Sequence, residues 1–143
     1  MYDDILVPTD GGEQIDAVIE AAVDIAKQRE ATVHALSIID SNVFLTLDEE
    51  LTDAVNEELT ANAEEAVAHV VDAAADDGVE GEAVIRQGRP SDEIIAYAKE
   101  IDADLIVMGT RRSDGHEHRM LGSVSQDVIT EAGRQTLVVP LSD

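Results

Sequence analysis

The residues best able to do chemistry are densest in one stretch, DLIVMGTRRSDGHEHRMLGSVSQ, residues 104–126. Gly109 and Gly122 bracket a polar loop that holds Arg111, Arg112 and Arg119, three of the nine Lys and Arg residues in the chain. A glycine lets the backbone approach a ligand closely. Ser123 follows as a helix start, where unpaired N–H groups face an anion. Arginine adds paired, charged hydrogen bonds to phosphate. The chemistry these residue types share is phosphate binding. A plain strand-to-helix connection needs only about two to six residues, whereas the polar loop, residues 111–121, already has eleven.

Other reactive residues point to less. His116 and His118 stand beside Asp114 and Glu117 as divalent-metal donors, but polar loops collect such residues without a metal, and none is expected. Asp10, at the end of the first apolar run, suits a Mg²⁺ ligand, a ribose contact or a helix cap. Ser123 as a nucleophile needs a partnered base, and no spacing supplies one. His34 lies inside an apolar run and is expected to be packed or hydrogen-bonded; His69 has no assigned role.

Several phosphate-handling designs are absent. There is no G-x-x-x-x-G-K-[ST] loop, and Pro8-Thr9-Asp10-Gly11-Gly12 cannot replace the G-x-G-x-x-G turn of a dinucleotide fold. A phosphoacceptor receiver needs an Asp ending its third strand and a Lys ending its fifth; Arg86-Gln87-Gly88 and Pro140 occupy those places.

These residues must be positioned by the rest of the chain. Residues 4–7 and 32–39 are apolar runs of strand length, followed by further runs at 82–86, 105–108 and 136–141. Helical patterns separate them. The first, residues 13–29, has Ile15, Val18, Ile19, Ala22, Val23 and Ala26 on one face. The second, residues 48–75, has Leu51, Val55, Leu59, Ala63, Ala66 and Val70 as its stripe, expected to be core. The third follows Gly88-Arg89-Pro90, with Ser91 as N-cap and Ile94, Ile95, Ala98 and Ile101 inward. The fourth, residues 123–132, has Val124, Val128 and Ile129 as its apolar positions and stops at Gly133. Strict alternation predicts a doubly wound α/β fold: one five-stranded parallel sheet with helices on both faces and no second domain. Ligands of such sheets bind beyond the carboxyl ends of the strands, where the winding reverses. If the first and fourth strands are neighbours, Thr9-Asp10 and Gly109-Thr110 meet in one crevice.

Composition sets the outer bounds. The 143 residues are 44% hydrophobic, enough for a sizeable core. Aromatics are only 2%, so that core is aliphatic. There is no Cys, which removes disulfides and thiol chemistry. MYDDILVP carries acids where a signal peptide carries bases, so a cytoplasmic protein is expected, and no apolar run approaches membrane-spanning length. Asp and Glu number 32 against nine bases, for a net charge of −23. The acids are spread over every helical pattern, which suits hydration in a salt-rich cytoplasm and disfavours binding to nucleic acid.

The motifs carry a resemblance. Ile5-Leu6-Val7-Pro8-Thr9-Asp10-Gly11, Gly88-Arg89-Pro90, residues 104–110 and Thr136-Leu137-Val138-Val139-Pro140 are similar to the universal stress protein (UspA) family along essentially the whole chain. Its ATP-binding pattern G-x2-G-x9-G-[ST] is matched by Gly109 and by Gly122-Ser123 at full spacing, with Arg112 in place of the second glycine. The resemblance implies an adenine nucleotide-hydrolase-like fold and a regulatory, non-enzymatic protein holding ATP or AMP, with Mg²⁺ as a companion ion. The implied nucleotide site comprises Pro8, Thr9, Asp10, Ile38, Met108, Gly109, Arg111, Arg112, Gly122, Ser123, Val124 and Ser125. Ile38 would meet adenine through its backbone. The resemblance also implies a homodimer through the last strand, at Thr136, Leu137, Val138, Val139, Pro140 and Leu141. The alternative is a stress-associated interaction protein whose site Arg112 blocks; a slow ATPase ranks last.

Overall fold

The computed structural model describes residues 2–10, 15–109, 111–112, 119–120 and 123–140, with the backbone alone at 111, 112, 119, 120 and 123. In chain order the elements are β1 (Asp4–Pro8), α1 (Ile15–Arg29), β2 (Thr32–Asp40), a 3₁₀ turn (Ser41–Phe44) and α2 (Glu49–Asp76). There follow β3 (Gly81–Gly88), α3 (Pro90–Glu100), β4 (Leu105–Gly109), β5 (Arg111–Arg112), β6 (Arg119–Met120), α4 (Ser123–Glu131) and β7 (Gln135–Val139).

Five strands make one parallel sheet in the order β3-β2-β1-β4-β7. The chain winds outward from β1 to β3 on one side, then returns past β1 to β4 and β7 on the other. Right-handed crossovers running in opposite directions must lie on opposite faces, and they do. Ile5, Val7, Val33, Ala35, Leu105 and Val107 pack under α1 and α2. The alternate residues Leu6, Leu36, Ile106 and Met108 pack under α3 and α4. Covered on both faces, β1, β2 and β4 have no need of the polar alternation of a one-sided sheet.

The helix ends are set by local chemistry. After α1, α2, α3 and α4 the chain enters the left-handed region at Glu30, Gly78, Asp102 and Gly133, with φ of 55°, 74°, 51° and 67°. The N–H groups of Ala31, Val79 and Ala103 then donate back to Ala26, Ala74 and Ala98, each at 2.9 Å, closing three Schellman-type caps.

Four expectations change. Ser91 does not cap α3. Arg89 holds that position without a side-chain bond, because Pro90, preset for a first helical residue, starts the helix two residues earlier; Ser91 is buried inside the first turn. The stripe of α2 is core only from Ala63 onward, and Leu51 is 52% exposed. The reason is length. The 28 residues of α2 extend about 42 Å, whereas the nine residues of β2 reach about 30 Å, so the first turns of the helix overhang the sheet. Ile129 is exposed on α4. The last strand is Gln135–Val139 rather than residues 136–141, with Pro140 after it; Leu141 lies outside the described residues.

Candidate functional site

β1 and β4 are hydrogen-bonded neighbours, with Ile5 opposite Leu105 and Leu6 opposite Ile106. Their carboxyl ends, Thr9-Asp10 and Gly109, therefore open on the same edge of the sheet at the point where the winding reverses. α4 follows β4 and begins at this edge, so the first N–H groups of Ser123, Val124 and Ser125 have no acceptor within the helix and make up its N-terminus.

The individual residues are held as follows. Pro8 ends β1 opposite Leu36. Thr9 is buried, and its N–H donates to Leu36 O at 2.8 Å, which pins the exit of β1 against β2. Asp10 is exposed at the mouth. Ile38 lies near the end of β2, opposite Arg86, and packs partly against the α3–α4 core. Met108 turns its side chain into that core, so only its backbone borders the edge. Gly109 ends β4 opposite Val139. Ser125 is buried and Val124 half-buried against the core.

After Gly109 the described residues form a short ladder. Arg111 pairs with Met120 and Arg112 with Arg119 in a two-stranded antiparallel ladder. Arg112, which replaces a glycine of the pattern, is therefore extended. Among the described residues only Glu30 and Asp102 are non-glycines with positive φ, so Arg112 carries no left-handed strain. Thr110, His116, His118 and Gly122 lie outside the described residues, as do Asp114 and Glu117. No cluster of three His, Asp or Glu among the described residues could hold a metal ion.

Deeper in the sheet, a polar cluster ties the supporting strands to α3; His34 is packed and hydrogen-bonded as expected, while its partners across the strands and on α3 are not evident from the sequence. His34 is buried, with Nε2 2.8 Å from Asp4 Oδ1 on β1. Its Nδ1 is 3.1 Å from Glu82 Oε2 on β3, off the line of a hydrogen bond. The ring stands edge-on to Tyr97 of α3, centroids 6.4 Å apart. Arg86 stacks over Tyr97 at 4.8 Å and reaches Glu100 with a 2.6 Å ion pair. That hydrogen bond holds the Glu100 carboxyl below its ordinary range and the Arg86 guanidinium above its own. Burial pushes the Tyr97 phenol up. Tyr97 and Glu100 are one helical turn apart, but nothing in the sequence places Arg86 beside them.

A groove of about 520 Å³ lies at the opposite, amino end of the strands, bordered by Tyr2, Ile25, Arg29, Leu105, Gln135 and Leu137. It runs beside the β7 edge, where Leu137 is 38% exposed. It is remote from the β1–β4 crevice. Among the described residues no helix is long and apolar enough to cross a membrane.

Comparison with known proteins bears on the crevice. Residues 1–140 match the model of the universal stress protein family. A universal stress protein of Methanocaldococcus jannaschii is 36% identical over 140 residues, covering 97% of this chain and 82% of that one. Universal stress protein UspA from Lactobacillus plantarum superposes with a TM-score of 0.81 at 27% identity, covering 96% of this chain and 97% of the other. The universal stress protein from Archaeoglobus fulgidus, solved in complex with dAMP, superposes with a TM-score of 0.74 at 25% identity, over 96% and 98% of the two chains. With the fold, the switch-point crevice and a family match running over nearly all its residues, the chain belongs to the universal stress protein family.

Proposed function

We propose that this chain is a non-enzymatic regulator that holds an adenine nucleotide, ATP or AMP, in the crevice between β1 and β4. The observation that carries the reading is the adjacency of those two strands, which brings Asp10, Gly109 and the start of α4 to one edge. The dAMP complex of the Archaeoglobus fulgidus protein supports the ligand class. In this reading Pro8, Thr9 and Asp10 border the ribose, and Asp10 is the candidate ligand for Mg²⁺ accompanying a triphosphate. The backbone of Ile38 borders adenine, and Met108 and Gly109 form the floor. The N–H groups of Gly122, Ser123, Val124 and Ser125, with Arg111 and Arg112, meet the phosphates. A bound nucleotide then biases the arrangement of residues 111–121, which couples occupancy to surface shape without chemistry.

The same reading makes the chain one domain acting in the cytoplasm as a homodimer. β7 is an edge strand paired only with β4 among the described residues. Pairing with a second β7 at Thr136, Leu137, Val138 and Val139, flanked by Pro140 and Leu141, satisfies that edge. Calorimetric titration of the dialysed protein with AMP, and with ATP and Mg²⁺, tests the nucleotide reading. Stoichiometric micromolar binding supports it. The absence of heat for all of these ligands overturns it in favour of an interaction protein with a blocked site.

A further inference from the structure

The first turn of α2 and the turn before it carry apolar side chains that the fold leaves exposed. Leu51, Val55 and Leu59 repeat at helical spacing; Val55 and Leu59 are half-buried, Leu51 is exposed, and full burial begins at Ala63. The 3₁₀ turn and the loop leading into α2 add Val43 and Leu45. Of the five large exposed hydrophobics among the described residues, three are here: Val43 at 43%, Leu45 at 78% and Leu51 at 52%. The segment is firmly held. Asp40 Oδ1 accepts the Asn42 N–H at 3.0 Å, and Asp48 Oδ1 caps α2 by accepting the Leu51 N–H at 2.9 Å. A held apolar surface loses little entropy on association.

Its charge identifies the occupant. Asp48, Glu49, Glu50, Asp53, Glu57 and Glu58 surround the stripe, and no Lys or Arg occurs anywhere between Glu30 and Ile85. A second copy docking through the same face would set these carboxylates against their own kind. An anionic lipid surface would be repelled in the same way. We infer that this surface, the exposed Val43, Leu45 and Leu51 beside the half-buried Val55, with its acidic rim, docks a basic amphipathic helix of a partner protein. The partner's apolar anchors, spaced three and four residues apart, lie on the stripe while its Lys and Arg meet the rim. The surface lies beyond the carboxyl end of β2, on the same edge of the sheet as the crevice, and its docking does not depend on the nucleotide reading.

The test is fluorescence anisotropy with a labelled synthetic peptide of roughly 18 residues, carrying a leucine stripe at helical spacing and Lys and Arg elsewhere. Its control has the same composition with the stripe scrambled. The protein is used at the lowest KCl concentration that preserves its native circular dichroism. The expected result is saturable binding, weakened about tenfold or more by L45S combined with L51S and by scrambling the stripe. Both leucines are exposed, so the variant keeps the native fold, and an unchanged melting temperature verifies it. Equal binding by the variant, or by the scrambled peptide, reduces the effect to net charge and overturns the proposal. So does a wild-type oligomer that L45S/L51S dissociates in sedimentation equilibrium, since the occupant is then a second copy.

Discussion

Arg112 stands where the nucleotide-binding pattern has a glycine, and its backbone decides what that means. A glycine is needed where φ is positive or where a side chain would obstruct; in the β5–β6 ladder Arg112 is extended. An arginine there carries no conformational strain, and in the proposed reading its charge serves the phosphate. Arg112→Gly is therefore expected to weaken ATP binding about tenfold, read by calorimetry; tighter binding would make Arg112 an obstruction. At Tyr97 the outcome is set by pH. Burial raises the phenol of the folded state above the ordinary value of an unfolded tyrosine, near 10. The stability this contributes is complete below that pH and is lost as pH rises through the folded value. The melting temperature should thus fall on the alkaline side, and Tyr97→Phe should flatten that fall; an unchanged alkaline limb in the variant contradicts it. The glycines and arginines of the proposed site could be named from the sequence because their types and spacing suit phosphate. The Arg86–Tyr97–Glu100 cluster was not, since it depends on how β3 and α3 are brought together.

Among the elements, helix ends and strand edges carry the clearest expectations. Gly133 closes α4 at a φ of 67° with open space where a Cβ would go, so Gly133→Ala acts through backbone strain alone and should destabilise by about 1 kcal/mol in denaturant unfolding. Glu30 takes the same left-handed role after α1 without being glycine; Glu30→Gly should stabilise by up to about 1 kcal/mol. If Glu30→Gly instead destabilises, its side chain matters more than its φ. At the β7 edge, Leu137→Asp should convert the proposed dimer to monomer in sedimentation equilibrium, whereas an unchanged mass places the interface elsewhere. The strands β1, β2 and β4 were legible because burial on both faces leaves continuous apolar runs. Two features were not. The two-residue strands β5 and β6 are too short to show a period. The stripe of α2 reports an amphipathic helix but not where the sheet beneath it stops, so Leu51 read as core.

For the whole molecule, the dominant quantity is the charge of −23, set by 32 acids and nine bases. Such repulsion opposes the compact state and is screened as the Debye length falls from about 10 Å at 0.1 M salt to about 3 Å at 1 M. The melting temperature is expected to rise with KCl over that range; a flat response would show that the acidic surface is stable without screening. Sheet order and winding place one crevice at the carboxyl ends of β1 and β4 and a separate groove at the amino ends of β4 and β7. In the proposed reading the nucleotide occupies the first. Amide chemical-shift mapping during titration with AMP, and with ATP and Mg²⁺, tests it most directly. Shifts are expected at Thr9, Asp10, Gly109, Ser123, Val124 and Ser125, with Ile25, Arg29 and Leu137 unmoved. Shifts confined to the groove residues, or none at saturating nucleotide, would contradict it.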